Sequence, residues 1–226
     1  MTAKEAFGAM VKMHVGPPLR EAGFRGPAPT WRRRSPAGDI AVVNLQKSSY
    51  NDGDEVNFYV NLAVLPAAWW QYLIDDSSQK RPTNPVERHG LLRRRLDPPV
   101  KSRLRDGWVI RGTDGGDDCG LVLGERLEQV AVPELQALLD PGGLADFLDG
   151  GARGWWVTKR KDLALAYVLA GKGMNPRLQG VLDDFDRPSR SPRDAEQAAW
   201  LRQQAAGSRR VTGQARPTSS AREMFG

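Results

Sequence analysis

Between Thr30 and Val64 apolar and polar side chains alternate with a period of two, and this stretch more than any other limits what the chain can become. Three strands are predicted, Thr30 to Arg34, Ile40 to Ser48 and Val56 to Val64. The turn-forming runs Ser35-Pro36-Ala37-Gly38-Asp39 and Asn51-Asp52-Gly53-Asp54 separate them and are too short for a crossover, so the strands must be antiparallel neighbours. In the third strand Val56, Phe58, Val60, Leu62 and Val64 share one face, and Asn57, Tyr59, Asn61 and Ala63 share the other. Opposed residues lie on one side of the sheet, so apolar must meet apolar and the sum of paired residue numbers must be odd. Within that rule the predicted register pairs Leu45 with Phe58 and Val43 with Val60, which sets Asn44 opposite Tyr59 and Gln46 opposite Asn57. The face turned from the core then carries Asn44, Gln46, Ser48, Asn57, Tyr59 and Asn61.

Around this meander the remaining pattern is mostly helical. Ala6, Phe7, Met10, Val11 and His14 recur at spacings of three and four, Pro17 and Pro18 interrupt them, and Gly23 suits a helix end. Further helices are expected over Pro66 to Ile74, Leu127 to Leu139, Leu144 to Leu148, Leu163 to Leu169 and Pro176 to Phe185, with a fourth strand at Trp108 to Arg111. The acidic run Thr113 to Asp118 reads as a turn. After Phe185 comes a linker rich in Arg, Pro and Ser, then a possible helix from Asp194 to Ala206, then a polar segment. The fold class is therefore α+β: an antiparallel meander sheet of about four strands with N-terminal and C-terminal helices packed on it. A single domain is expected over 1–186, followed by a basic, mostly disordered tail over 187–226.

Composition narrows the function classes. Of 226 residues one is cysteine, Cys119, which rules out an intrachain disulfide, and no run is apolar enough for a signal peptide or a membrane span. A cytoplasmic protein is expected. The net charge of +6 invites a nucleic-acid reading. Residues 187–226 supply +5 of it, leaving 25 basic and 24 acidic residues in the folded part.

Gly23-Phe24-Arg25, Trp31-Arg32-Arg33, Asn44-Leu45-Gln46-Lys47-Ser48 and Phe58-Tyr59-Val60-Asn61-Leu62 form a more specific signature. Over about 23–64 the chain resembles an uncharacterised bacterial family, domain of unknown function 4304, whose members open with a helix ending in Gly-Phe, then an aromatic-Arg strand, then an Asn-Leu-Gln-Lys-Ser segment. Trp108 stands near where that family carries a tryptophan pair, and Trp155-Trp156 is such a pair later in the chain. The resemblance implies no activity and no catalytic residue.

The residues offer little for catalysis. Two histidines, His14 and His89, and one cysteine form no metal-ligand spacing, and a Cys119–His pair remains open only because sequence separation does not forbid it. No phosphate-binding loop, dinucleotide fingerprint or Gly-x-Ser-x-Gly elbow occurs, so neither a metal nor a cofactor is expected. Two surfaces remain. One is the polar sheet face, with neutral donors and acceptors on a rigid frame. The other is basic: Trp31, Arg32 and Arg34 in the first strand and Arg93, Arg94 and Arg95 later, with arginines that could hold phosphates and a ring that could stack on a base. The leading expectation is a non-enzymatic module binding a protein partner through the polar face, in a setting such as defence or toxin neutralisation. The alternatives are nucleic-acid binding through the arginine clusters and tail, and an unrecognised hydrolase.

Overall fold

A computed structural model of the chain describes residues 2–49, 51, 54–76, 80–100, 107–112, 115–187 and 191–212. Two compact units divide it, Met1–Val168 and Leu169–Gly226.

In the first unit a six-stranded antiparallel sheet is built from β1 (Thr30–Arg34), β2 (Ile40–Lys47), β3 (Glu55–Leu65), β4 (Leu92–Arg95), β5 (Trp108–Arg111) and β6 (Trp156–Val157). The order is β1-β2-β3-β4-β6, and β5 shares with β4 the second edge of β3. β4 covers Asn61–Val64 and β5 covers Glu55–Phe58, so the long central strand serves two partners end to end. The sequence missed β4 and β6. Three consecutive arginines carry no alternation, and a two-residue strand has no period to read.

The β2–β3 register departs from expectation by two residues: Leu45 opposes Val60 and Val43 opposes Leu62. Parity holds, so every side chain keeps its face. The slip lets Ile40 pair with Leu65 at the far end, and the Asn51 side chain accepts a hydrogen bond from the Asn57 amide (2.8 Å) in the longer connection. Asn44 therefore faces Asn61, and Gln46 faces Tyr59.

One sheet face, with Trp31, Val43, Leu45, Phe58, Val60, Leu62 and Ile110, is buried under helices. Phe7 of α1 (Ala3–Met10) meets Phe58 edge-on at 5.0 Å, and Glu134 of α5 (Val132–Leu139) reaches Arg94. A reciprocal Thr2/Glu5 capping box starts α1. Pro17 and Pro18 then lack the amides that Met13 and His14 carbonyls need, and the helix passes through a π turn, Val11–Val15, into α2 (Gly16–Glu21). A second π turn, Leu127–Ala131, likewise stands just before Pro133 and joins α5 to α4 (Gly115–Arg126).

α4 occupies residues read as a turn. Its glycines carry poor helix propensity, yet Gly116, Gly120 and Gly124 recur every four residues and form a row on which α1 and the first π turn lie closely. A Cβ at Gly116 would come within 3.2 Å of Ala6 Cβ, and one at Gly124 within 3.1 Å of the His14 carbonyl oxygen. Tertiary packing overrides propensity here, and Asp117 and Asp118 sit at the favourable end of the helix dipole.

The other sheet face is covered over half its length. Ile40, Val42, Ala63 and Leu65 are fully buried. Segment 85–91 crosses them: a Cβ at Gly90 would lie 2.7 Å from Ala63 Cβ, and the Pro85 carbonyl accepts from Arg32. α3 (Ala67–Asp75) braces this segment through Trp69 Nε1, which donates to the His89 carbonyl (2.7 Å), and its first amide donates to Asp39 (2.8 Å). Tyr167 of α7 (Lys161–Ala170) stacks edge-on against Trp69 at 5.0 Å. Between these elements α6 (Gly143–Asp149) follows α5.

In the second unit α8 (Pro176–Phe185) is capped by Asn175 and α9 runs over Pro192–Thr212. The boundary between the two units falls inside α7. The segment 187–226, read as mostly disordered, thus contains a 21-residue helix. Ser191 and Asp194 exchange hydrogen bonds at its start, alanines favour its interior, and Ala198, Leu201 and Ala205 are buried on one face. Arg202 pairs with Asp186, tying α9 to the end of α8. The remaining tail, 213–226, lies outside the described residues.

Candidate functional site

The open half of the partly covered face holds Asn44, Gln46, Tyr59, Asn61, Arg93, Arg95 and Trp156, all projecting to one side because they occupy alternate or directly paired positions. A cleft of about 360 Å³ is lined by Gln46, Asn61, Leu62, Arg93, Arg94, Arg95, Gly154 and Trp156. Two groups of residues that were separate in the sequence, the amide face and two of the three later arginines, therefore meet in one place.

The floor is an amide chain. Asn61, 7% exposed, donates through Nδ2 to Gln46 Oε1 (3.1 Å) and to Asn44 Oδ1 (3.5 Å), while Asn44 Nδ2 donates to Thr30 Oγ1 (2.8 Å). Asn44 and Asn61 are thus structural supports, and Gln46, whose Oε1 accepts from Asn61, is exposed. Ser48 and Asn57 lie beyond the cleft, where the Ser48 amide donates to the Asn57 carbonyl and closes the β2–β3 connection. Among the described residues Asn57 Oδ1 is buried without a hydrogen-bond partner.

The walls are arginines backed by rings. The Arg95 guanidinium lies 4.1 Å from the centre of the Tyr59 ring, and that of Arg93 lies 5.4 Å from the Trp156 ring. Neither arginine has a carboxylate partner among the described residues. Trp156 is 66% exposed, the only exposed tryptophan among them. Its backbone is nevertheless fixed: β6 pairs with β4, the Thr158 amide donates to the Leu91 carbonyl (2.9 Å), and the preceding Trp155 donates to Glu134 (2.7 Å). Sequence reading did not find Trp156 as a site residue; its only signal was the Trp155-Trp156 pair.

The other basic residues do not join this site. Arg94 points to the opposite face and is neutralised by Glu134. Trp31 also lies on that opposite face and is 2% exposed, so it has no ring to offer a base. Arg32 reaches the Pro85 carbonyl, and burial together with the neighbouring Arg34 charge holds its pKa below the usual range. Arg34 is exposed at the end of β1, paired with Ile40 and remote in the sheet from the cleft.

Neither histidine is hydrogen-bonded to Cys119: His14 Nε2 lies 3.3 Å from Asp117 Oδ1, and His89 Nδ1 accepts from the Val86 amide. Burial pushes the Cys119 thiol up to about 11, so it stays protonated at neutral pH. Among the described residues no group of three or more His, Cys, Asp and Glu is placed to hold a metal ion, and no helix is long and apolar enough to cross a membrane.

Residues 15–118 match the model of a family described as a domain of unknown function, DUF4304. The match includes Gln46, Tyr59, Asn61, Arg93 and Arg95 and stops short of Trp156. No curated protein and no solved structure matches the chain.

Proposed function

We propose that the chain, whose residues 15–118 match the DUF4304 family model, is a non-enzymatic recognition module that binds a protein partner through the open half of its sheet face. The observation that carries this reading is Trp156, a large ring left in solvent on a backbone fixed by sheet pairing and by the Trp155–Glu134 bond. Exposed aromatic and arginine side chains on a rigid frame are what binding hot spots use, because little conformational freedom is lost when they are covered. The surrounding floor is already hydrogen-bonded, which keeps the frame in shape before a partner arrives.

Charge supports a protein over a nucleic acid. The cleft offers two arginines without a carboxylate partner among the described residues, fewer cations than a protein that contacts roughly 6–10 phosphates brings to them. Affinity capture from the source organism tests the reading, using the full chain beside a Trp156→Ala, Arg95→Ala variant that melts at the same temperature. The reading expects a protein retained by the first and lost by the second. Equal retention would refute it.

A further inference from the structure

We propose that the cleft receives an extended acidic segment of the partner, with carboxylates at alternate positions, i and i+2. This deepens the recognition reading and rests on it. Arg93 and Arg95 are two residues apart on one strand face, which separates them by about 6.6 Å along β4. Alternate side chains of an extended peptide share one face at the same spacing, so two carboxylates can meet two guanidinium groups without bending the segment. A helix places its same-face residues three or four apart and does not match.

The donor balance of the cleft points the same way. Gln46 Oε1 is occupied by Asn61 Nδ2, so the amide floor turns the Gln46 amino group outward. Arg93, Arg95, Gln46 and the Trp156 indole are all donors, and among the described residues no carboxylate lines the cleft. The Trp156 and Tyr59 rings lie against the Arg93 and Arg95 guanidinium groups, each of which can make two parallel bonds to a carboxylate.

There is also room for an extended chain. Among the described residues β6 pairs with Leu92 and Arg93 alone, and Gly154, with φ +76, lies beside Arg94 and Arg95. A second cleft of about 720 Å³ opens there, lined by Arg94, Arg95, Asp97, Pro98, Pro99, Arg126 and Gly154. A segment lying in line with β6 enters this space. Asp97 at the far end limits the acidic positions to those opposite Arg93 and Arg95.

The test is a titration of the full chain with dye-labelled heptapeptides followed by fluorescence polarisation. Ser-Thr-Asp-Thr-Asp-Thr-Ser is compared with its isomer carrying adjacent aspartates, with its Asn analogue, and with an oligothymidylate. The alternating peptide is expected to bind about tenfold tighter than the isomer, and Arg93→Ala and Arg95→Ala to weaken it about tenfold each, against no change for Arg34→Ala. Arg93→Lys and Arg95→Gln keep the test decisive if an alanine variant melts low. Equal binding of the two isomers, indifference to the arginines, or tighter and arginine-dependent binding of the oligothymidylate would overturn the inference. Loss of peptide binding alone, with partner capture still dependent on Trp156 and Arg95, would sink the acidic segment and spare the recognition face. Capture independent of both residues would remove the recognition face itself.

Discussion

Replacing Gly120 by alanine examines the close approach of α4 to the end of α1 and the first π turn. A Cβ at this position would overlap the His14 ring, with Cγ at 2.8 Å, and would lie 2.9 Å from Met10 Cγ. Met10 is fully buried, so its side chain is enclosed by packed neighbours. Overpacking of this kind costs about 1–3 kcal/mol. Alanine in place of glycine inside a helix returns about 1 kcal/mol through propensity. With overlaps on two groups the larger cost applies, and the net loss should be about 2 kcal/mol. Gly8 in α1 is the control: nothing lies within 4 Å of its Cβ position, so Gly8→Ala should gain about 0.5–1 kcal/mol. Urea unfolding at constant m reads both changes as shifts in midpoint. If Gly120→Ala proved as stable as the parent while Gly8→Ala gained, the close approach of α4 to α1 would be wrong.

Leu45→Ala and Phe58→Ala should each lose about 2–5 kcal/mol in the same unfolding assay, because both side chains are buried and Phe58 also contacts Phe7 and Trp108. The amide floor should split: Asn61→Ala leaves two acceptors without their donor and costs about 1–3 kcal/mol, whereas exposed Gln46→Ala stays within about 1 kcal/mol. Cys119 should react slowly with iodoacetamide at pH 8, since its thiol is pushed up to about 11 from an ordinary value of 9.0. By linkage, burial of the neutral thiol contributes stability that is full below pH 9.0 and is lost as pH rises toward about 11, which chemical unfolding across that range would follow.

The strands around the meander were legible because one face is core: Thr30–Arg34 and Trp108–Arg111 coincide with expectation, and β2 and β3 differ by a residue at their ends. The register was not, because a slip of two residues preserves every facing and only the Ile40–Leu65 pair and the connection choose between the alternatives. α4 was hidden by glycines whose value lies in what packs on them, a property of His14 and Met10, both more than 100 positions before Gly120. The amide residues of the site were legible as a face. Their meeting with Arg93, Arg95 and Trp156 depends on the β3–β4 and β4–β6 pairings, which join segments far apart in sequence and leave no local trace.

The central claim is that binding occurs on the open half of the sheet face, and residue-resolved NMR of the labelled chain with the captured partner tests it most directly. The largest shifts are expected at the Gln46 side-chain amide, the Trp156 indole N–H and the Arg93 and Arg95 side chains, with Gly8 and Leu121 unmoved. Shifts centred on Met13 or Leu121, both exposed apolar residues of α-helical or π-helical segments, with the cleft resonances unchanged, would contradict the account.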